Sequence, residues 1–213
     1  MKSLFDPDGP FLTVLTAIAN VAIVNILTLA LCVPMVTAGA AFTAADYVLF
    51  HMVEQTDTYI VRSYFKSFKE NFRQATVIWL LYLVVILLGA ADVYIIRHSD
   101  APSVGLIVVL VVIAAIFLSG MIYTFAYLSR YSDKTGVVLK NAWILDFANL
   151  PKSVLMVLVM GGAFYATYRF YMYAIPFFLI FGIAGPSIFN MSLMRSIFYK
   201  LEGRDPRHPY DEE

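Results

Sequence analysis

The sequence predicts an all-α integral membrane protein: a bundle of about five transmembrane helices with two cytoplasmic amphipathic interfacial helices. Three observations carry that expectation. Hydrophobic residues fill 61% of the 213 positions and charged residues only 14%, against about 45–50% and about 25% in a soluble domain. Mean hydropathy is +0.76; a soluble fold of this length cannot hide so much apolar side chain, and disorder needs the opposite composition. Finally, Lys and Arg alternate between sparse and dense from one connection to the next, the signature of a chain threaded through a bilayer.

A helix crossing the hydrocarbon core needs roughly 20 mostly apolar residues. The first such run is 11–36, interrupted by Asn20, Asn25 and Pro34. Pro34 removes a helix hydrogen bond, and Thr37-Ala38-Gly39 lets the chain turn. The second is 75–96, with Asp92 in its last turn, and the third, 106–128, carries no charge. The fourth, 154–168, is short, but Gly161, Gly162 and Ala163 permit close helix contact. The fifth is 175–198, where Gly185-Pro186 is expected to kink the helix or end its first half. The stretch 40–53 competes as a re-entrant or short sixth crossing, although 14 residues span with difficulty.

Between these runs the basic residues number one, four, one, four, one and four, all fifteen of the chain. Five crossings then put the N-terminus outside and the C-terminus in the cytoplasm of a plasma membrane. The start carries Asp6 and Asp8 where a cleavable signal peptide would be basic, so no such signal is expected. Asp6-Pro7-Asp8-Gly9-Pro10 reads as a turn that brings acidic charge to a helix N-terminus.

The two cytoplasmic helices are expected at 58–74 and 134–150. In the first, Ile60, Tyr64, Phe68 and Phe72 recur every four residues beside Phe65, while Arg62, Lys66, Lys69 and Arg73 take the other face. Basic charge with aromatic anchors suits an anionic membrane surface or a partner surface. Superposing Asn71-Phe72 on Asn149-Leu150 also sets Arg62 on Lys140 and Phe65 on Trp143, a hint of a two-part repeat. On the outer side Phe164, Tyr165, Tyr168, Phe170, Tyr171 and Tyr173 read as an interfacial aromatic belt.

Intramembrane ionisable residues are functional candidates. Asp46 follows the small residues Gly39, Ala40, Ala41 and Ala44, with His51 and Glu54 after it. These form a proton or ion site, or else the polar residues of a segment emerging into the cytoplasm. Asn20 and Asn25 would face such a site, and with Asn190 they are expected to bond between helices. No cofactor or metal is expected: Cys32 is the one cysteine, which excludes an intramolecular disulfide and a cysteine zinc site. Zero net charge argues against nucleic acid. Without HExxH, a phosphate-binding glycine loop or GxSxG, and with His98-Ser99-Asp100 too close together for a triad, the chain is not expected to be an enzyme.

Three stretches together resemble one family. They are Leu4-Phe5-Asp6-Pro7-Asp8-Gly9-Pro10; Pro34-Met35-Val36-Thr37-Ala38-Gly39-Ala40-Ala41 followed by Thr43-Ala44 and Tyr47; and the run from Ser63 to Thr76 with Trp79-Leu80. They are similar to motifs of the YesL-like family, small multi-pass membrane proteins of Gram-positive bacteria. Family members often carry Ile where Ala38 stands here. The family has no established activity. Its members are often encoded beside carbohydrate-uptake transporters and polysaccharide-degrading enzymes. The resemblance therefore implies an accessory or scaffold role beside the permease subunits of a carbohydrate ABC uptake system. The residues themselves suggest an alternative, a small autonomous transporter or channel with its polar site near Asp46. Lipid is a partner on either reading, and small-residue faces also allow a homo-oligomer.

Overall fold

The computed structural model describes residues 10–56, 59–98 and 104–203. Among these residues all regular structure is helical: α1 (Pro10–Cys32), α2 (Ala38–Glu54), α3 (Ile60–Arg97), α4 (Val104–Arg130), α5 (Thr135–Ala148), α6 (Leu150–Arg169), α7 (Tyr171–Phe181) and α8 (Ala184–Leu201). A single 3-10 turn, Met35–Thr37, joins α1 to α2. Five stretches are long and apolar enough to cross a bilayer: Phe11–Cys32, Met35–Glu54, Ile60–Ile96, Val104–Arg130 and Leu150–Arg169. The protein is a multi-pass helical membrane protein. The 4–9 motif, the 99–100 part of the polar loop, the 204–213 tail and the side chains of Arg97, Tyr171 and Tyr173 lie outside the described residues.

The 40–53 stretch belongs to the axis of the bundle. It lies within α2, which starts at Ala38, and nearly all of its first turns are buried. Pro34 stops α1, and the Thr37 hydroxyl donates back to the Leu31 carbonyl, closing a tight turn. The chain then re-enters along α1, α3, α4 and α8. Lipid is as apolar as a leucine side chain, so helices in a membrane associate through close packing rather than exclusion of water. Ala38, Gly39, Ala40, Ala41, Ala44 and Ala45 provide that approach. A Cβ on Gly39 would sit 2.5 Å from the Trp79 Cβ and 2.6 Å from the Ala75 carbonyl oxygen. Trp79 completes the join by donating its indole N–H to the Met35 carbonyl at 2.8 Å. The glycines of α6 behave differently: Gly161 and Gly162 have nothing within 4 Å of a built Cβ, so the close contact expected there is not made.

The expected interfacial helix 58–74 is not a separate element. It is continuous with 75–96 in α3, whose 38 residues reach about 57 Å, against roughly 30 Å of hydrocarbon. Its buried stripe runs Ile60, Tyr64, Ser67, Ala75, Ile78, Trp79 and Tyr82. The four-residue row read from sequence drifts by roughly 40° at each step, because 3.6 residues make a turn. It therefore begins inside the bundle at Ile60 and Tyr64 and ends outside at Phe72. Nor does 134–150 repeat this arrangement. Pro151, whose ring opposes the carbonyl four residues back, accompanies a break at Asn149 between α5 and α6. Furthermore, α5 packs along α4, with a Cβ on Gly120 only 2.8 Å from the Trp143 ring.

The 175–198 stretch is likewise two helices. The break falls at Gly182-Ile183, one turn before the expected Gly185-Pro186. Pro186 has no N–H for the Gly182 carbonyl and its ring crowds that oxygen, so the helix fails one turn upstream of the proline. Within α8, Pro186 sits in the first turn, where no N–H is needed.

At one end α2, α4 and α8 finish together. Arg130 donates to Glu202 through Nε at 2.6 Å and Nη2 at 2.9 Å, and to Glu54 through Nη1 at 3.2 Å. The Tyr131 hydroxyl donates to the same Glu202 at 2.7 Å. Burial and the Glu202 carboxylate both push that phenol above its ordinary pKa. The Arg130 guanidinium also stacks 4.4 Å from the Phe50 ring centre. These ties fix α2, α4 and α8 parallel, with α1 and α3 antiparallel to α2 through the short connections at 33–37 and 55–59.

Candidate functional site: a cavity at Asp46

Between α2, α4, α6 and the α7–α8 break lies a cavity of about 110 Å³. Four elements contribute: Phe42 and Asp46 from α2; Leu118, Met121, Ile122 and Phe125 from α4; Met160 and Phe164 from α6; and Ile183, Ser187, Asn190 and Met191 from the α7–α8 break onward. Its wall is apolar apart from three groups. Asp46 is 8% exposed and Asn190 1%. Ser187 is also buried. Among the described residues, no hydrogen bond or ion pair engages the Asp46 carboxylate. Both Nδ2 and Oδ1 of Asn190 are likewise without a hydrogen-bond partner. Buried polar groups are nearly always paired, so a carboxylate and an amide left open on one cavity mark a place where something else binds.

The α7–α8 break shapes the cavity, and Asn25 holds the break. Its amide donates to the Phe178 and Leu179 carbonyls at 3.0 and 2.8 Å. Its carbonyl accepts the N–H groups of Ile183 and Ala184 at 2.8 and 2.9 Å. One side chain thus satisfies both helix ends, the condition for irregular backbone at membrane depth. Asn25 was expected to face the Asp46 site; instead it stands behind it and fixes the angle at which α8 brings in Ser187 and Asn190.

The other candidates separate. Asn20 is half-buried on α1 and lines no described recess. His51 donates to the Tyr47 carbonyl at 2.8 Å and stacks on the Tyr47 ring. It lines a second recess, at the charged end, with Arg130 and Glu202 rather than with Asp46. The proposed lipid or partner face also divides. Arg62, Lys66, Lys69 and Arg73 are exposed beside Phe65 and Phe72, and Phe68 is half-buried. Tyr64 does not belong to that face. It is fully buried, and its hydroxyl donates toward Thr28 at 3.2 Å and the Ala41 carbonyl at 3.1 Å.

Sequence reasoning missed Asp146. This carboxylate is buried between α5 and α4, accepts from the Ser119 hydroxyl at 2.9 Å through Oδ2, and leaves Oδ1 without a partner. The signal was present: Val138, Ala142 and Asp146 fall four residues apart, so the carboxylate continues the apolar stripe of its helix. Asn190 was read as a link between helices, yet it makes none.

No curated protein and no solved structure matches the chain. Residues 21–93, which carry Asn25, Asp46 and most of α3 but end well before Asn190, match the family described as Protein of unknown function, DUF624.

Proposed function

We propose that the chain is a small membrane transporter whose solute-binding site is the Asp46 cavity. The observation that carries this reading is the buried Asn190 amide without a partner and the Asp46 carboxylate that no hydrogen bond or ion pair engages, both lining one cavity beside a discontinuous helix. Transport sites in membranes recur at such places, where broken helices and a few polar side chains line a space inside the bundle. Solid-supported-membrane electrophysiology on reconstituted protein reads charge displaced by a bound or carried solute. Tested against a panel of sugars, amino acids, amines and organic acids, the wild type should give a signal for one class. Asp46→Asn should remove it while the protein still inserts and stays monodisperse. A silent wild type would overturn the reading.

A second reading has its own support, the exposed basic and aromatic face of α3. Arg62, Lys66, Lys69 and Arg73 with Phe65 and Phe72 suit anionic lipid or a partner. Together with the family resemblance, this favours an accessory component of a carbohydrate ABC uptake system in the plasma membrane. Stoichiometric permease subunits recovered from native membranes, with no solute response from the isolated chain, would establish it.

The sidedness that fits best has six crossings, with α2 counted as one and α7–α8 together as another. The start of α1 then lies on the cytoplasmic side with the C-terminal end of α8, in place of the outside N-terminus expected from five. The basic residues favour this threading. The turn at 33–37 carries no Lys or Arg, the other two outer connections carry Arg97 and Arg169, and the remainder lie inside. In a Cys32→Ser background, Val33→Cys should react with a membrane-impermeant maleimide added outside intact cells. Reaction only after permeabilisation would restore the five-crossing arrangement.

A further inference from the structure

We propose that the Asp46 cavity takes a small organic cation, an alkylated ammonium of trimethylammonium size; this rests on the transport reading above and narrows its solute. Charge, size and lining each point the same way.

The charge argument begins with Asp46. A carboxylate taken out of water without a partner costs several kcal/mol, and no cationic side chain lines this cavity. A proton relieves that cost while the cavity is empty; a cation entering in exchange for the proton supplies a partner for the carboxylate, whereas an anion would add to the cost. Size then discriminates among solutes. A cavity of about 150 Å³ accommodates benzene, and this one is about 110 Å³. A trimethylammonium group, somewhat smaller than benzene, is of the scale this space takes. A pyranose with its hydroxyls has about twice the heavy atoms of benzene, more than this space encloses.

The lining selects the kind of cation. Phe42, Phe125 and Phe164 present aromatic rings, and Met121, Met160 and Met191 present polarisable thioethers. Phe42 and Phe125 pack against each other, 6.0 Å apart between ring centres at 56°. Aromatic faces attract a cation within about 6 Å, and methylated ammoniums, which lose little hydration on entering an apolar space, are the ligands such aromatic sites recognise. A hard metal ion instead requires six or more oxygens. Among the described residues no group of three or more His, Cys, Asp or Glu could hold one. The Asn190 carbonyl oxygen adds one dipole to the Asp46 charge, enough to orient an ammonium and too little to dehydrate calcium or magnesium.

The test is calorimetry on purified protein in nanodiscs, with tetramethylammonium chloride, its neutral near-isostere tert-butanol, sodium acetate, glucose and silver nitrate as probes. Tetramethylammonium should bind about tenfold or more tightly than tert-butanol. Asp46→Asn should remove that preference, and Asp92→Asn, on the open outer part of α3, should leave it unchanged. Should Asp46→Asn fail to fold, the wild type still answers. Tetramethylammonium should protect Asp46 from dicyclohexylcarbodiimide, read by peptide mass spectrometry, and glucose should not. Equal binding of tert-butanol, or preferred binding of glucose or acetate, in an Asp46-dependent way would overturn the cation and keep the transport site. Silver binding that Met191→Leu abolishes, without ammonium binding, would replace the organic cation with a soft metal. No response to any probe, with no charge displaced by any solute in the wider panel, would overturn both.

Discussion

Asn25→Leu should cost about 3–5 kcal/mol of unfolding free energy, a large share of what holds a small domain together. The side chain is fully buried and serves four backbone groups at the α7–α8 break. Leucine has the same branched skeleton of heavy atoms, is bulkier, and excludes water, so the vacated partners find no substitute. The Phe178 carbonyl keeps the Gly182 N–H at 2.8 Å. That leaves the Leu179 carbonyl and the N–H groups of Ile183 and Ala184 uncompensated, each at about 1–3 kcal/mol. Interhelical side-chain bonds in membranes average nearer 0.6 kcal/mol, because both partners re-pair when separated. Backbone groups freed by a helix break lack that freedom, which is why the larger value applies. Asn25→Ala leaves space for a bridging water and should cost less than Asn25→Leu. Equilibrium unfolding in mixed micelles measures both. A loss below about 1 kcal/mol for the leucine variant would mean that the break is held by α7 and α8 alone. Because Asn25 sets where α8 starts, the same substitution should also weaken any solute response of the Asp46 cavity.

What the sequence made legible depended on periodicity and on local chemistry. Apolar runs of crossing length located most of the helices, and the proline and small residues at 34–41 correctly marked a turn followed by close helix approach. Helix ends were read less well, for physical reasons. Nothing in a sequence says that a charged half and an apolar half are one continuous rod, so α3 was divided at its middle. A proline breaks hydrogen bonding four residues upstream, so the α7–α8 discontinuity was placed one turn late. The candidate cavity was half legible. Asp46 was found from its charge in an apolar setting. Asn190 and Ser187 are brought to it from some 140 residues away by packing alone, and packing leaves no local mark in a chain. Asn25 shows the limit most clearly. Its type and depth were noticed, but its role depends on four groups more than 150 residues distant.

The α2–α3 contact gives the other large effect, and it turns on a single methyl group. Gly39→Ala should destabilise the protein by about 3 kcal/mol or more, at the upper end of overpacking costs. The reason is what the new Cβ meets. At 2.5 Å from the Trp79 Cβ and 2.6 Å from the Ala75 carbonyl oxygen, it strikes main-chain and near-main-chain atoms of α3. A flexible side-chain tip could swing away; these cannot without moving the helix. Moving α3 outward would also stretch the Trp79 N–H bond to the Met35 carbonyl and loosen the turn that starts α2. Gly161→Ala is the matched comparison. It stands beside Gly162 and Ala163, has open space around a built Cβ, and lies inside α6. There, alanine's better helix propensity should be neutral or should stabilise by up to about 1 kcal/mol. Unfolding of the two variants side by side separates packing from propensity. Equal, small effects would mean that α2 and α3 are not in backbone contact. A large loss confined to Gly39→Ala would show that the small-residue face of α2 is the seam on which the bundle closes, and that the Asp46 cavity on the same helix inherits its shape from it.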